Sequence, residues 1–146
     1  MADHTNQSIV IGAKPADVMA VIADLDRYPE WVDAAKSVEI LERDKNGFAA
    51  KARFVLDAAL LKDTYELRYT WAEDGLSVRW TLLESTIMRS QEGAYLLEPN
   101  EKGTKVTYEL SVDLRIPMIG LFRRKAERAI IDTALKELKK RVESLS

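Results

Sequence analysis

The chain has no cysteine and one histidine in 146 residues. The first absence excludes disulfides, thiolate metal sites and cysteine nucleophiles. The second leaves His4, in a polar tail, as the sole imidazole, so a Ser-His-Asp triad has nothing else to build on. No His/Cys/Asp cluster shows metal-ligand spacing, and neither a metal nor any other cofactor is expected. A glycine-rich phosphate loop is missing. No run of about 18 apolar residues occurs, so nothing reads as a membrane span. Met1-Ala2-Asp3-His4-Thr5-Asn6-Gln7 lacks the basic-then-apolar pattern of a signal peptide, and a cytoplasmic location is the default expectation. There is no cationic excess either. The 22 Lys and Arg against 24 Asp and Glu leave a net charge of −2, and nucleic acid, which needs a basic field, is not an expected partner.

What is present is ordinary for a folded domain. Hydrophobic residues make up 47% and charged residues 32%, which excludes disorder and fits one domain spanning residues 1–146. Ser8–Ile11 reads as a strand. Pro15 opens a helix, with Val18, Val21, Ile22 and Leu25 on one face. Asp26 can cap a second short helix through Tyr28-Pro29-Glu30-Trp31-Val32. The period then changes to two. Val38 and Ile40 lead to Asp44-Lys45-Asn46-Gly47, where Asn-Gly signals a tight hairpin. Phe48, Ala50, Ala52, Phe54 and Leu56 alternate with polar residues. So do Tyr65, Leu67, Tyr69 and Trp71, then Val78, Trp80 and Leu82. Gly93, Tyr95 and Leu97 follow, and finally Val106, Tyr108, Leu110, Val112 and Leu114. Clean alternation is the habit of antiparallel sheets with one buried face. From about Ile119 to Leu145 the spacing predicts one long helix. It carries two apolar stripes, Ile131-Leu135-Leu138-Val142-Leu145 and Phe122-Ala126-Ala129-Ile130.

The order is strand, two short helices, six strands, long helix. A strongly twisted antiparallel sheet curls, and its apolar face must be covered. Only the C-terminal helix is long enough to do so. The expected fold class is therefore α+β: a curved antiparallel sheet of about seven strands wrapped around that helix, with a hollow between them.

Two stretches tie this pattern to a known group. One is Pro15–Asp24 running into Leu25-Asp26-Arg27-Tyr28-Pro29-Glu30-Trp31 and then Val38-Glu39-Ile40-Leu41. The other is Gly93-Ala94-Tyr95-Leu96-Leu97-Glu98-Pro99 followed by Gly103–Tyr108. Across essentially its whole length the chain resembles the SRPBCC superfamily (START, Bet v 1-like), in particular its polyketide cyclase/dehydrase and coenzyme Q-binding branch. The resemblance implies a helix-grip fold. It also implies a partner that is a small hydrophobic ligand such as a lipid, isoprenoid, quinone or polyketide. Aromatic polyketide cyclase or dehydrase activity is the first alternative. A ribosome-linked or other protein-interaction role, as in some relatives, is the second.

Residue by residue, the expected cavity set is Trp31, Phe54, Tyr65, Tyr69, Trp71, Trp80, Gln91, Tyr95 and Tyr108 from the plug and sheet, with Ala126, Ile130 and Thr133 from the helix. Each aromatic taken singly fits an ordinary core. So many amphipathic rings on one face suit a pocket better, because buried Tyr and Trp each want a polar partner. Leu60 and Leu61, in an oddly apolar strand connection, are expected to form a gate, and Met118 a second one. Arg123-Arg124-Lys125 stands where cations oppose the helix dipole. It reads as a solvated turn or as a lip for a partner or transient membrane contact. Asp24 and Asp26 read as helix-end residues rather than a catalytic pair. No catalytic constellation is visible, and the protein partner, if there is one, is unknown.

Overall fold

A computed structural model describes residues 5–58, 61–115 and 120–145, and the side chains of these other than 58, 61 and 120–122. β1 (Thr5–Ile11) leads into α1 (Pro15–Ala23), a 3-10 turn (Leu25–Arg27) and α2 (Tyr28–Trp31). Six strands follow: β2 (Ala35–Arg43), β3 (Ala49–Ala58), β4 (Leu61–Trp71), β5 (Ser77–Ser85), β6 (Met88–Asn100) and β7 (Gly103–Leu114). α3 (Gly120–Ser144) closes the chain. The strands form one seven-stranded sheet in the order β1-β7-β6-β5-β4-β3-β2, and every pairing is antiparallel. This is the helix-grip architecture that the alternation and the long terminal helix foretold.

Bulges bend the sheet. The register slips between Ala35 and Ser37 and again between Ile40 and Glu42 in β2. In β5 the extra residue is Leu83, because Glu66 faces Glu84 while Leu67 faces Leu82. In β6 it is Arg89. Each inserted residue kinks its strand and increases the twist. At Gly103 (φ +136°) the turn between β6 and β7 runs so close to the end of β1 that a Cβ would lie 2.1 Å from the Ile11 carbonyl oxygen. Only glycine fits there.

α3 buries Ile131, Leu135, Leu138 and Val142, and rests on β1 and β7 with α1 and α2 beside it. No comparable packing joins it to β3, β4 or β5 among the described residues. Its seat is fixed by Glu127, which is 1% exposed. One carboxylate oxygen accepts from the Thr5 hydroxyl at 2.6 Å and the other from the Val112 N–H at 2.7 Å. The described part of β1 starts at Thr5, opposite Leu110. Val112 therefore has no strand partner there on that side, and Glu127 supplies the missing acceptor.

Several local expectations are corrected. Asp26 lies inside the 3-10 turn and caps nothing; it pairs with Arg43 at 3.6 Å. Asn46-Gly47 sits in a longer loop, in which the Asp44 carboxylate accepts from the N–H groups of Asn46 and Phe48. Phe48 is 39% exposed rather than inward. Ala58 at the end of β3 stands opposite Leu61 at the start of β4, and the residues between them lie outside the described residues.

Candidate functional site

The two-residue period puts Phe54, Tyr65, Leu67, Tyr69, Trp71, Trp80, Tyr95 and Tyr108 on the face of the sheet that α3 overlies. Register brings their rings side by side. Tyr65 is opposite Phe54, Tyr69 opposite Trp80 and Tyr95 opposite Tyr108. The result is a continuous aromatic wall. Phe54 stacks on Tyr65 with centroids 5.3 Å apart, and Tyr69 on Trp71 at 5.5 Å. Trp80 meets Tyr69, Tyr95 and Tyr108 within 5.9 Å. At the α2 end, Tyr28 touches Phe54 and meets Trp31 edge-on at 5.0 Å. Such offset and edge contacts are favourable beyond the area they bury.

Trp80 is held in place from two sides. It lies flat against Gly93, where a Cβ would come within 2.3 Å of its ring. Its Nε1–H donates to Gln91 Oε1 at 2.9 Å, while Gln91 Nε2 donates to Met88 Sδ at 3.4 Å. Trp71 donates Nε1–H to the Ala49 carbonyl at 2.7 Å. Among the indoles and amides of the wall, the polar atoms are paired within the protein.

The phenols are not. Tyr28 donates to the Ile22 carbonyl. Tyr65, Tyr69, Tyr95 and Tyr108 have no hydrogen-bond partner among the described residues. Yet no buried side-chain polar atom is both sealed off and unpartnered. Tyr95 and Tyr108 are only 7% and 8% exposed as residues, and Tyr65 and Tyr69 are half-buried. Burial holds all five phenols well above their ordinary value, and they raise one another further where they are close: Tyr69 is affected by Tyr28, Tyr65, Tyr108 and Tyr95. The five phenols thus lie close together as protonated donors.

On the helix side, Glu137 accepts from the Asp33 N–H at 3.1 Å. Burial raises its carboxyl above the usual range despite that bond, and its charge is felt at Tyr95. Ala126, Ile130 and Thr133 are exposed on the α3 face that also carries Glu137. The fully buried stripe of α3 runs through Glu127, Ile131 and Leu138. Leu60 and Met118 fall outside the described residues, as does the side chain of Leu61. The Asp63 carboxylate, buried at the same end of the sheet, accepts from the Ser85 and Thr86 hydroxyls and the Thr86 N–H, which locks the turn between β5 and β6. Neither Asp63 nor Glu127 was visible as a buried group in the sequence, since acidic residues ordinarily read as solvent-facing.

Trp31 also borders a separate groove of about 500 Å³ outside the sheet, between α1 and the end of α3. Asp24 pairs with Arg27 at 3.3 Å, so the Asp24-Asp26 pair is surface ion pairing. The wet face of the sheet carries cross-strand pairs such as Arg53–Glu66 at 2.8 Å and Arg79–Glu109 at 3.6 Å. Arg124 and Lys125 are exposed. No group of three or more candidate metal ligands occurs among the described residues, and no helix there is long and apolar enough to cross a membrane.

Sequence comparison agrees with this architecture. Residues 11–139 match the family described as polyketide cyclase / dehydrase and lipid transport, and the chain belongs to that family. Among solved structures it is similar to a START superfamily protein from Mycobacterium smegmatis (19% identity, TM-score 0.92, covering 99% of this chain and 100% of that one). It is also similar to a protein from Thermus thermophilus (25% identity, TM-score 0.82, 99% of each chain). The Zhui aromatase/cyclase from a Streptomyces species shares the fold as well (17% identity, TM-score 0.80, 97% of this chain and 93% of that one). No curated protein matches. The family supports lipophilic ligand binding or a cyclase role.

Proposed function

We propose that this chain, acting as one domain over residues 1–146, binds and carries a small lipophilic molecule in the hollow between its aromatic wall and α3. One observation carries the reading: Tyr65, Tyr69, Tyr95 and Tyr108 stand together in the aromatic wall, and their hydroxyls have no hydrogen-bond partner among the described residues. A packed core pairs its phenols, whereas a pocket leaves a few polar groups free to orient its ligand. The rings supply apolar contact and the hydroxyls supply direction.

Uptake of Nile red, a neutral hydrophobic dye, by the purified chain tests this. Blue-shifted emission that a Phe54→Ala or Tyr108→Ala change weakens, in variants that stay folded, is the expected result. Absence of any dye uptake, together with a native mass spectrum showing bare protein from every source, would sink it.

A cyclase reading has one observation of its own: the raised carboxyl of Glu137 lies close enough to Tyr95 for its charge to be felt there. A carboxylic acid beside a phenol donor is suited to proton transfer at a carbonyl. Conversion of an added polyketide thioester that Glu137→Gln abolishes, with binding intact, would favour it over simple carriage.

A further inference from the structure

Arg27, Arg43, Arg53, Arg79, Arg89 and Arg141 each pair with a carboxylate. Arg115, Arg123, Arg124, Lys125 and Arg128 form no ion pair with a described residue. These five cations stand at one end of the molecule. Glu127 of α3 bonds the Thr5 hydroxyl and the Val112 N–H. Further along the helix, Lys139 reaches the Val10 carbonyl and Glu143 the Gly12 N–H. α3 therefore runs parallel to β1 and antiparallel to β7, and its first described turns lie beside the end of β7 that leads to Arg115. Arg123 stands about 6 Å before Glu127 along α3, and Arg115 about 10 Å beyond Val112 along β7. The acids on these stretches are engaged. Asp113 pairs with Arg89 at 3.4 Å, Asp132 with Lys136 at 2.9 Å, and both oxygens of Glu127 are bonded. At the neighbouring strand ends, Asp57 faces Lys62 at 3.9 Å and Asp63 is bonded within the turn after β5.

The residues between the cations decide what such a surface fits. Arg124 and Arg128, four apart, share one flank of α3, and Ala126 and Ile130 share another. All four are exposed, Ile130 at 38%. A polyanion such as nucleic acid gains nothing from an exposed isoleucine, and the chain's net charge of −2 works against it. An anionic bilayer offers its headgroups to the cations, and an apolar layer just beneath them to Ile130 and the arginine stems. We propose that residues 123–130 of α3, with Arg115 after β7, form a docking surface for an anionic lipid membrane. The five cations meet the headgroups, and Ile130 sits at the boundary of the apolar layer. Docking of this kind does not require the hollow to be occupied, so it stands apart from the function proposed above.

Flotation of the full chain with two sets of vesicles tests this, one of phosphatidylcholine alone and one of phosphatidylcholine and phosphatidylserine in equal parts. Binding is expected to the second set only, and it should fade as salt is raised and the charges are screened. Arg124→Gln and Arg128→Gln should each weaken it about fivefold, the worth of one cation near an anionic surface. Ile130→Ser should weaken it by a factor that salt does not change. Arg68→Gln removes the other arginine without an ion pair, exposed on the outer face of the sheet, and should change nothing. Equal binding to both vesicle sets, no binding to either, or an equal loss from Arg68→Gln overturns the proposal. Capture by heparin, a polyanion without an apolar layer, with no vesicle binding overturns it too. Should a variant fail to fold, the two vesicle sets and the salt series on the unmodified chain decide alone. Nile red uptake reports separately on the hollow. Dye uptake without vesicle binding removes docking and leaves carriage standing, and vesicle binding without dye uptake does the reverse.

Discussion

The two sides of the sheet's inner face are built on different rules. Near β1 and β7, α3 presses Ile131, Leu135 and Leu138 into the sheet, and the one buried carboxylate, Glu127, has both oxygens bonded. Near β3, β4 and β5, the rings are larger, α3 does not pack closely against them among the described residues, and the hydroxyls of Tyr65 and Tyr69 have no hydrogen-bond partner there. The first side pairs the carboxylate it buries and so holds the fold, and Tyr95 and Tyr108, on β6 and β7, mark where it meets the second. The second leaves polar groups unspent, which a stability argument alone would not favour. The contrast separates residues that keep the sheet folded from residues that are free to serve a ligand.

Alkaline titration gives the largest effect on that contrast. All five tyrosines of the chain lie in the cluster. Burial holds them above the value near 10 that phenols have when unfolded. The folded state therefore keeps protons that the unfolded chain has shed. This contribution to stability is whole below about pH 10 and falls as the pH rises beyond it. Absorbance at the phenolate band should stay flat through that region and then rise in one step with loss of circular dichroism. A gradual rise at ordinary phenol pH, with the fold intact, would mean that the hollow is open to bulk water.

On the packed side, Leu138→Ala should cost about 2–5 kcal/mol in denaturant unfolding, because Leu138 is wholly buried and leaves a cavity. Relative probe affinities measured below the transition should not change. Gly93→Ala forces the Trp80 ring to move, since the new Cβ would sit 2.3 Å from it. A loss of about 1–3 kcal/mol is expected, with a shift in tryptophan emission as the bond to Gln91 breaks. Tyr69→Phe should be the mildest: stability within about 0.5 kcal/mol, because its hydroxyl has no hydrogen-bond partner among the described residues, but weaker binding of acceptor-bearing ligands. A large destabilisation at Tyr69 would put that phenol with the packed side and erase the contrast there.

Much of this was legible in the sequence. The period-two runs placed β3 to β7 and the facing of Tyr65, Tyr69, Trp80, Tyr95 and Tyr108, because one buried face forces alternation. The limits of α3 were visible within a residue or so, from Pro117 and the apolar stripe. What escaped depended on contacts between distant segments. Glu127 resembled a solvated helix residue until the start of β1 left Val112 without a partner. Asp44 turned the Asn-Gly signal into a longer loop by bonding its own backbone. The convergence of the phenols could not be read at all from spacing. It comes from bulges that curl the strands and bring rings from four strands, together with Tyr28, to one space.

The most direct test is where a bound neutral aromatic sits. Nuclear Overhauser contacts from methyl naphthoate should reach the ring protons of Tyr95, Tyr108 and Tyr69. Contacts confined to Ala20, Val21 and Leu145, in the outer groove between α1 and α3, would contradict a ligand-holding interior.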